Sequence, residues 1–180
     1  VTNPTGVDRN LRSTVDILFN APDVKLAALY GPEHGVRGEF TAGQTVQGEI
    51  DPGTGLPVYS LYGKTRKPTN EMLKGIDVLV YDIQDIGSRS YTFISTLALL
   101  MEAAAENGIP VVVLDRPNPL GGLRMEGIVT RPGFFSFVSQ FAIPYIHGMT
   151  VGELALFLNG EGLLANGIKC DLQVENDRLV

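Results

Sequence analysis

The chain has one cysteine and two histidines in 180 residues. Cys170 alone excludes an intrachain disulfide framework and any multi-cysteine zinc or iron–sulfur site. A metal held by His34, His147 and a carboxylate would match no recognised ligand spacing. Positive charge is also scarce: 14 Lys and Arg stand against 20 Asp and Glu, a net charge of −6, with no basic run. That balance removes the phosphate-neutralising term behind nucleic-acid binding and offers no polybasic stripe to an anionic membrane. Apolar stretches such as Val111–Leu114 fall far short of the roughly 20 residues a membrane-spanning helix needs. No Gly-x-Gly-x-x-Gly follows a strand and no Gly-x-x-x-x-Gly-Lys-Ser/Thr occurs, so no nucleotide cofactor is expected. A Gly-x-Ser-x-Gly elbow is missing too, which takes support from a serine hydrolase. The opening Val1-Thr2-Asn3-Pro4 shows neither an initiator methionine nor a signal peptide; it reads as a trimmed start that leaves localisation open.

What is present is the composition of a folding domain, with 44% hydrophobic and 19% charged residues. Apolar spacing predicts helices over Asp8–Asn20, Asn70–Lys74, Tyr91–Asn107 and Met149–Asn159. Ser90 is placed to cap the third and Gly108 to end it; Thr150 with Glu153 forms a capping-box pattern for the fourth. Strand patterns cover Val24–Tyr30, Val58–Leu61, Ile76–Ile83, Pro110–Leu114 and Cys170–Val174. The Gly- and Thr-rich stretch from Gly35 to Lys67 reads as a long loop around the second of these, of the kind that carries function. Alternating strands and helices predict one α/β domain with a mainly parallel sheet, helices on both faces and no dinucleotide fingerprint.

In such sheets ligands bind beyond the carboxyl ends of the strands. Three predicted strand ends carry polar clusters there: Glu33-His34, Asp82 with Gln84 and Asp85, and Asp115-Arg116 with Asn118. Carboxylate acid–base chemistry is the available tool, because Glu33, Asp82, Asp85 and Asp115 supply acids while Arg37, Arg89 and Arg116 supply partners or substrate anchors. Plainer roles compete. Asp85 and Arg89 have the spacing of an i,i+4 ion pair, Asp115 suits a loop-stabilising role, and His147 before Gly148 suits loop packing as well as a substrate contact. Tyr59, Tyr62, Tyr81 and Tyr91 are packing residues by default, with stacking on a sugar ring as the functional alternative.

Five segments carry a family resemblance. They are Gly31-Pro32-Glu33-His34-Gly35-Val36-Arg37-Gly38, Ser60-Leu61-Tyr62-Gly63, Asp82-Ile83-Gln84-Asp85-Ile86-Gly87-Ser88-Arg89-Ser90-Tyr91-Thr92, Leu114-Asp115-Arg116-Pro117-Asn118-Pro119-Leu120-Gly121-Gly122 and His147-Gly148-Met149-Thr150-Val151-Gly152-Glu153-Leu154-Ala155. Together they resemble the bacterial exo-β-N-acetylmuramidases, formerly a domain of unknown function. The resemblance implies a Rossmann-like N-terminal domain spanning 1–180, truncated at both ends. It also implies a smaller C-terminal domain, absent here, that completes the cleft.

The implied activity is hydrolysis of terminal β-linked N-acetylmuramic acid from the non-reducing end of peptidoglycan fragments, in cell-wall turnover and recycling, with no cofactor. The implied setting is bacterial, secreted or periplasmic. Glu33 is implied as the leading catalytic carboxylate, with Asp85 or Asp115 as the second. His34, Arg37, Gln84, Arg89, Tyr91, Arg116, Asn118 and His147 are implied in or near the pocket, with Arg37 or Arg89 reading the lactyl carboxylate. Two other readings are weighed against this one: a non-catalytic muropeptide-binding module, and an NAD-dependent enzyme that the missing glycine fingerprint disfavours.

Overall fold

The computed structural model describes residues 1–38 and 49–176. In chain order the elements are α1 (Thr14–Phe19), β1 (Leu29–Gly31), β2 (Glu49–Ile50), β3 (Pro57–Ser60), β4 (Leu79–Tyr81), α2 (Phe93–Asn107), β5 (Val111–Asp115), α3 (Val151–Gly160) and β6 (Leu172–Asn176). β4, β5 and β6 form a parallel sheet in that order, with Leu79 opposite Val111 and Val111 opposite Leu172. Parallel neighbours need crossovers, and α2 and α3 supply them in two successive βαβ units. A second sheet pairs β1 in parallel with β3 and adds β2 antiparallel to β3.

Val1 and Thr2 join the two sheets. The Val1 nitrogen donates to the Val80 carbonyl, the Asp82 N–H donates to the Val1 carbonyl, and the Thr2 N–H donates to the Tyr30 carbonyl at 3.2 Å. On the amino-terminal side of this bridge a cavity of about 550 Å³ lies between 23–30 and 75–80. Thr14, Val15 and Asp82 also line it.

The core gathers around α2, which is apolar on almost every face and is correspondingly enclosed. Ile94, Leu97, Leu100 and Met101 pack with Tyr81, Val111 and Val113 of the sheet and with Leu154 and Leu158 of α3. Truncating one such leucine to alanine costs about 2–5 kcal/mol. Gly108 ends α2 at φ 66° in the left-handed region, as its position predicts, and Thr150 and Glu153 form the full capping box of α3. This βαβ architecture is Rossmann-like, as expected.

Several boundaries differ from the sequence pattern. α1 starts at Thr14 and not Asp8, because the Asp8 carboxylate captures the Asn10 and Arg12 amides and holds that stretch in a loop. Leu11 sits there at φ 60°, 81% exposed, off the helical stripe. Residues 70–74 form consecutive turns, with Leu73 N–H donating to Thr69 and Ile76 N–H to Leu73, and no helix. β1 and β4 are three-residue strands, and the residues before them, 23–28 and 75–78, line the cavity. Thr92, not Ser90, occupies the α2 N-cap, and Ser90 instead bonds Ser88 and Tyr145 through hydroxyls. Part of the predicted 35–67 loop, residues 39–48, lies outside the described residues. The remainder holds β3, as expected, and the two-residue β2, which was not.

Candidate active site

The carboxyl ends of β1, β3, β4 and β5 converge on one edge, and the segments leaving them hold all the predicted site residues. Pro32 follows β1 directly, and a turn closes with the Gly35 N–H donating to the Pro32 carbonyl at 3.0 Å. His34 and Gly35 take φ of 74° and 77° inside it, a conformation uncommon for a non-glycine residue. The turn leaves Glu33 half-buried and His34 exposed. In the segment after β3, the neighbouring Glu33 carboxyl is the chief cause that holds the Tyr62 phenol above its ordinary titration range. Arg66, exposed, acts on the same phenol in the opposite direction, and its guanidinium lies 4.4 Å from the centre of the Phe137 ring. Arg66 and Phe137 thus tie the segment after β3 to the one between β5 and α3.

A second group lies beyond β4. Asp85 is 4% exposed; its Oδ2 accepts the Gly87 N–H at 2.7 Å, while its Oδ1 is buried without a hydrogen-bond partner. Burial pushes the Asp85 carboxyl up to about 6, against the pull of the Gly87 and Ile86 amides. His147 approaches from the segment before α3, with Nε2 3.8 Å from Asp85 Oδ2. Its Nδ1 accepts the Met149 N–H, so a neutral ring carries its proton on Nε2, which is also buried and unpartnered. Burial lowers the His147 pKa as well. The predicted i,i+4 pair of Asp85 with Arg89 does not form: Arg89 donates to the Ile128 and Ile143 carbonyls at 2.7 and 2.6 Å.

The other charged candidates are engaged inside the fold. Asp82 accepts two bonds from Arg116, at 2.6 and 3.0 Å, and one from the Thr14 hydroxyl. Asp115 accepts the Gly152 N–H and Arg116 N–H on Oδ1 and the Thr150 hydroxyl on Oδ2, fixing the first turn of α3 to the end of β5. Gly152 has to be glycine there, because a Cβ would lie 2.6 Å from Asp115 Cγ. Arg37 pairs with Asp51 at 2.5 Å and Asp16 at 3.0 Å, which raise its pKa, while Arg37 and the Thr54 donors draw Asp51 down to about 2. Gln84 donates its amide to the Asp85 and Pro117 carbonyls, and Asn118 donates to Met149. A Cβ on Gly87 would strike Asn118, so these loops meet at backbone range. Tyr91, 41% exposed, stands edge-on to Phe93 at 5.1 Å.

The predicted residues therefore share one edge but divide into two kinds. Arg37, Gln84, Arg89, Asp115, Arg116 and Asn118 tie strand-end loops together. Glu33, His34 and Tyr91 meet solvent, and Asp85 with His147 forms a buried, under-satisfied pair. Sequence reasoning did not single out Arg66, and it gave Tyr62 a packing role by default with stacking on a sugar ring as the functional alternative. Their one signal was position, since Tyr62 belongs to the Ser60–Gly63 segment at a strand end and Arg66 follows four residues later. Among the described residues no cluster of three or more His, Cys, Asp or Glu is placed to hold a metal ion, and no helix is long and apolar enough to cross a membrane.

Comparison with known proteins bears on the same edge. Over 161 residues the chain is 60% identical to the peptidoglycan beta-N-acetylmuramidase NamZ of Bacillus subtilis (strain 168), covering 89% of this chain and 39% of that protein. The chain thus spans about two-fifths of the length of this curated relative. Two crystal structures of DUF1343 family proteins from Bacteroides fragilis NCTC 9343 superpose with TM-scores of 0.89 and 0.82, at 65% and 39% identity. Each covers 96% of this chain, which spans 43% and 44% of those proteins. Residues 1–176 match the model described as the N-terminal part of the exo-beta-N-acetylmuramidase NamZ, and the chain belongs to that family.

Proposed function

We propose that this protein is an exo-acting glycosidase that removes β-linked N-acetylmuramic acid from the non-reducing end of peptidoglycan fragments. The observation that carries the reading is Glu33: a half-buried carboxyl at the end of β1, presented by a turn that holds His34 and Gly35 at positive φ. The family match spans the same segment. In this reading Glu33 donates a proton to the leaving glycosidic oxygen. Asp85 is the second carboxyl, favoured over Asp115 because Asp115 has both oxygens bonded within the fold while Asp85 keeps an unpartnered oxygen. Two carboxyls in unlike environments are the usual equipment for glycoside hydrolysis.

The cleft is completed by a second domain. The relatives are more than twice as long as this chain, and β6 carries the backbone to the same edge, where Asn176 lies opposite Asp115. From that edge the segment between β5 and α3 rises with Leu123, Met125, Ile128 and Phe134 all more than 70% exposed, an apolar face suited to covering. We place the protein outside the cytoplasmic membrane, where a peptidoglycan substrate is found.

The test is release of free N-acetylmuramic acid from N-acetylmuramyl-β-1,4-N-acetylglucosamine by the full-length protein and its Glu33→Gln variant. Release that falls by about 10²–10⁴ in the variant supports the reading. A folded full-length protein that binds the disaccharide without cleaving it overturns it in favour of a sugar-binding module.

A further inference from the structure

The family resemblance implies His147 in or near the pocket, yet its side chain is fully enclosed and leaves a substrate no ring surface to contact. What the ring faces is Asp85, whose Oδ2 lies 3.8 Å from Nε2. The backbone brings the two together. Ser88 lies opposite Ile146 in an antiparallel bridge, flanked by the Arg89 N–H donating to the Tyr145 carbonyl at 2.8 Å and the His147 N–H donating to the Gly87 carbonyl at 3.4 Å. Asp85 Oδ2 accepts the Gly87 N–H at 2.7 Å. Both residues are thus tied to Gly87, one to its N–H and the other to its carbonyl.

The tautomer of the ring is fixed from its other side. The Met149 N–H donates to Nδ1 at 3.3 Å, so Nδ1 keeps its lone pair and Nε2 carries the proton. A second proton would have to enter at Nδ1, against that N–H and against burial. The ring therefore stays neutral and turns an N–H toward Asp85. Nε2 and Asp85 Oδ1 are both buried without a hydrogen-bond partner, a leftover donor and a leftover acceptor on facing residues. Their separation exceeds an ordinary N–H···O bond by about 1 Å. The surrounding charged and titratable groups are engaged with other partners or face solvent. On β4, Asp82 is matched by Arg116, and the Tyr81 phenol donates to the Phe93 carbonyl of α2. Arg89 donates to the Ile128 and Ile143 carbonyls. Asp115 at the end of β5 is bonded to Thr150 and Gly152, and Glu153 of α3 accepts the Thr150 N–H. In the segment between β5 and α3, Arg124 pairs with Glu126, Tyr145 bonds Ser90, and Arg131 is exposed.

We propose that His147 is the positioning residue of Asp85: when the carboxyl ionises, the 3.8 Å contact closes to a hydrogen bond from Nε2–H that holds the carboxylate in place. The inference rests on the muramidase reading for what Asp85 does, and it names what fixes the charge and orientation of that second carboxyl. A carboxylate accepts at both oxygens, so the N–H favours the ionised form, whereas a protonated carboxyl gains less from it. The proton leaves Asp85 for solvent; the ring neither takes nor gives one. His147 therefore acts only through Asp85.

The experiment uses the full-length protein with His147→Leu, which removes the donor, and His147→Gln, whose amide restores an N–H. Ionisation of Asp85 is followed by the NMR resonance of its carboxyl carbon, identified by its loss in Asp85→Asn, and kcat/KM on the disaccharide is measured over the same pH range. The wild-type carboxyl is expected to titrate at about 6. His147→Leu is expected to move that midpoint up by about one pH unit, and the acid limb of kcat/KM with it, while His147→Gln recovers most of the shift. A midpoint unmoved in His147→Leu overturns the proposal even if stability falls, because that is the behaviour of a ring that only packs. A midpoint moved equally in His147→Gln overturns it too. If the wild type releases no N-acetylmuramic acid, the muramidase reading falls, and the carboxyl titration still decides His147. Should the variants not fold, nitrogen NMR of the His147 ring in the unaltered protein decides. A neutral ring with bare Nδ1, whose Nε2 resonance moves as Asp85 ionises, supports the proposal; an Nδ1–H tautomer, or an Nε2 resonance indifferent to Asp85, overturns it.

Discussion

Asp82 and Asp85 are three residues apart, both almost fully buried at the end of β4, yet they stand in opposite conditions. Asp82 receives two bonds from Arg116 and one from Thr14, so its charge is matched and its oxygens are satisfied. Asp85 has backbone amides on one side, an orphaned oxygen on the other and a neutral imidazole 3.8 Å away, and burial pushes it up to about 6. The first is a strut that locks β4 to the loop after β5. The second is a buried carboxyl that the fold tolerates without satisfying, which is the usual signature of a group kept for function.

The comparison is broken most severely at Glu33, the carboxyl open to the edge. Glu33→Gln is expected to remove about 10²–10⁴ of the rate while leaving thermal stability within about 0.5 kcal/mol, because the amide has the same size and shape as the half-buried carboxyl it replaces. Parallel activity and melting measurements check the split. Asp82→Asn is expected to do the reverse in kind. It leaves the Arg116 guanidinium without a counter-charge and destabilises the fold by about 3–5 kcal/mol, read by denaturant unfolding. An Asp82→Asn protein as stable as wild type would show that the Arg116 contact is not a strut.

Asp85→Asn sharpens the contrast through pH. With its folded pKa raised to about 6 from an ordinary 3.8, Asp85 binds more protons folded than unfolded between those values. Its contribution is fully present below about 3.8 and is lost as pH rises through about 6, so at pH 7 the ionised, buried group is a net cost. Asparagine carries no such cost. The variant is expected to match wild type near pH 4 and to gain up to about 3 kcal/mol over it by pH 7, while losing activity. Unfolding curves at the two pH values check this, and a variant destabilised at both would place Asp85 with the struts.

The division between struts and open groups was only half legible in the sequence. β5, α2 and α3 were readable from apolar period and caps, because Gly108 and the Thr150–Glu153 pair act locally. Glu33 was readable because a Gly-Pro break ends its strand. Asp82 and Asp115 were not separable from Asp85, since what distinguishes them arrives from far away: Arg116 comes from 34 residues on to meet Asp82, and Thr150 from 35 residues on to meet Asp115. Arg37 and Arg89 looked like substrate anchors for the same reason, their partners at Asp51, Ile128 and Ile143 being invisible to spacing. The start of α1 failed on a side-chain effect, the capture of amides by Asp8, which competes with helix in a way that apolar period does not register.

The smallest effect belongs to Thr150, where the strut on β5 meets a helix cap. Its hydroxyl accepts the Glu153 N–H and donates to Asp115 Oδ2 at 2.7 Å, so one side chain serves both the cap of α3 and the fixing of a buried strand end. Loss of a threonine cap alone costs about 1 kcal/mol. Thr150→Ala also removes a donor from a carboxylate that keeps two backbone amides, so the expected cost is about 1–2 kcal/mol, with Thr150→Ser recovering most of it. A double-mutant cycle with Asp115→Asn separates the two roles. Coupling near zero would mean that the hydroxyl acts only as a cap and that Asp115 holds α3 through the Gly152 amide. Coupling of about 0.5 kcal/mol or more would make Thr150 part of the same strut, and the end of β5 would then owe its position to a helix that begins 35 residues later.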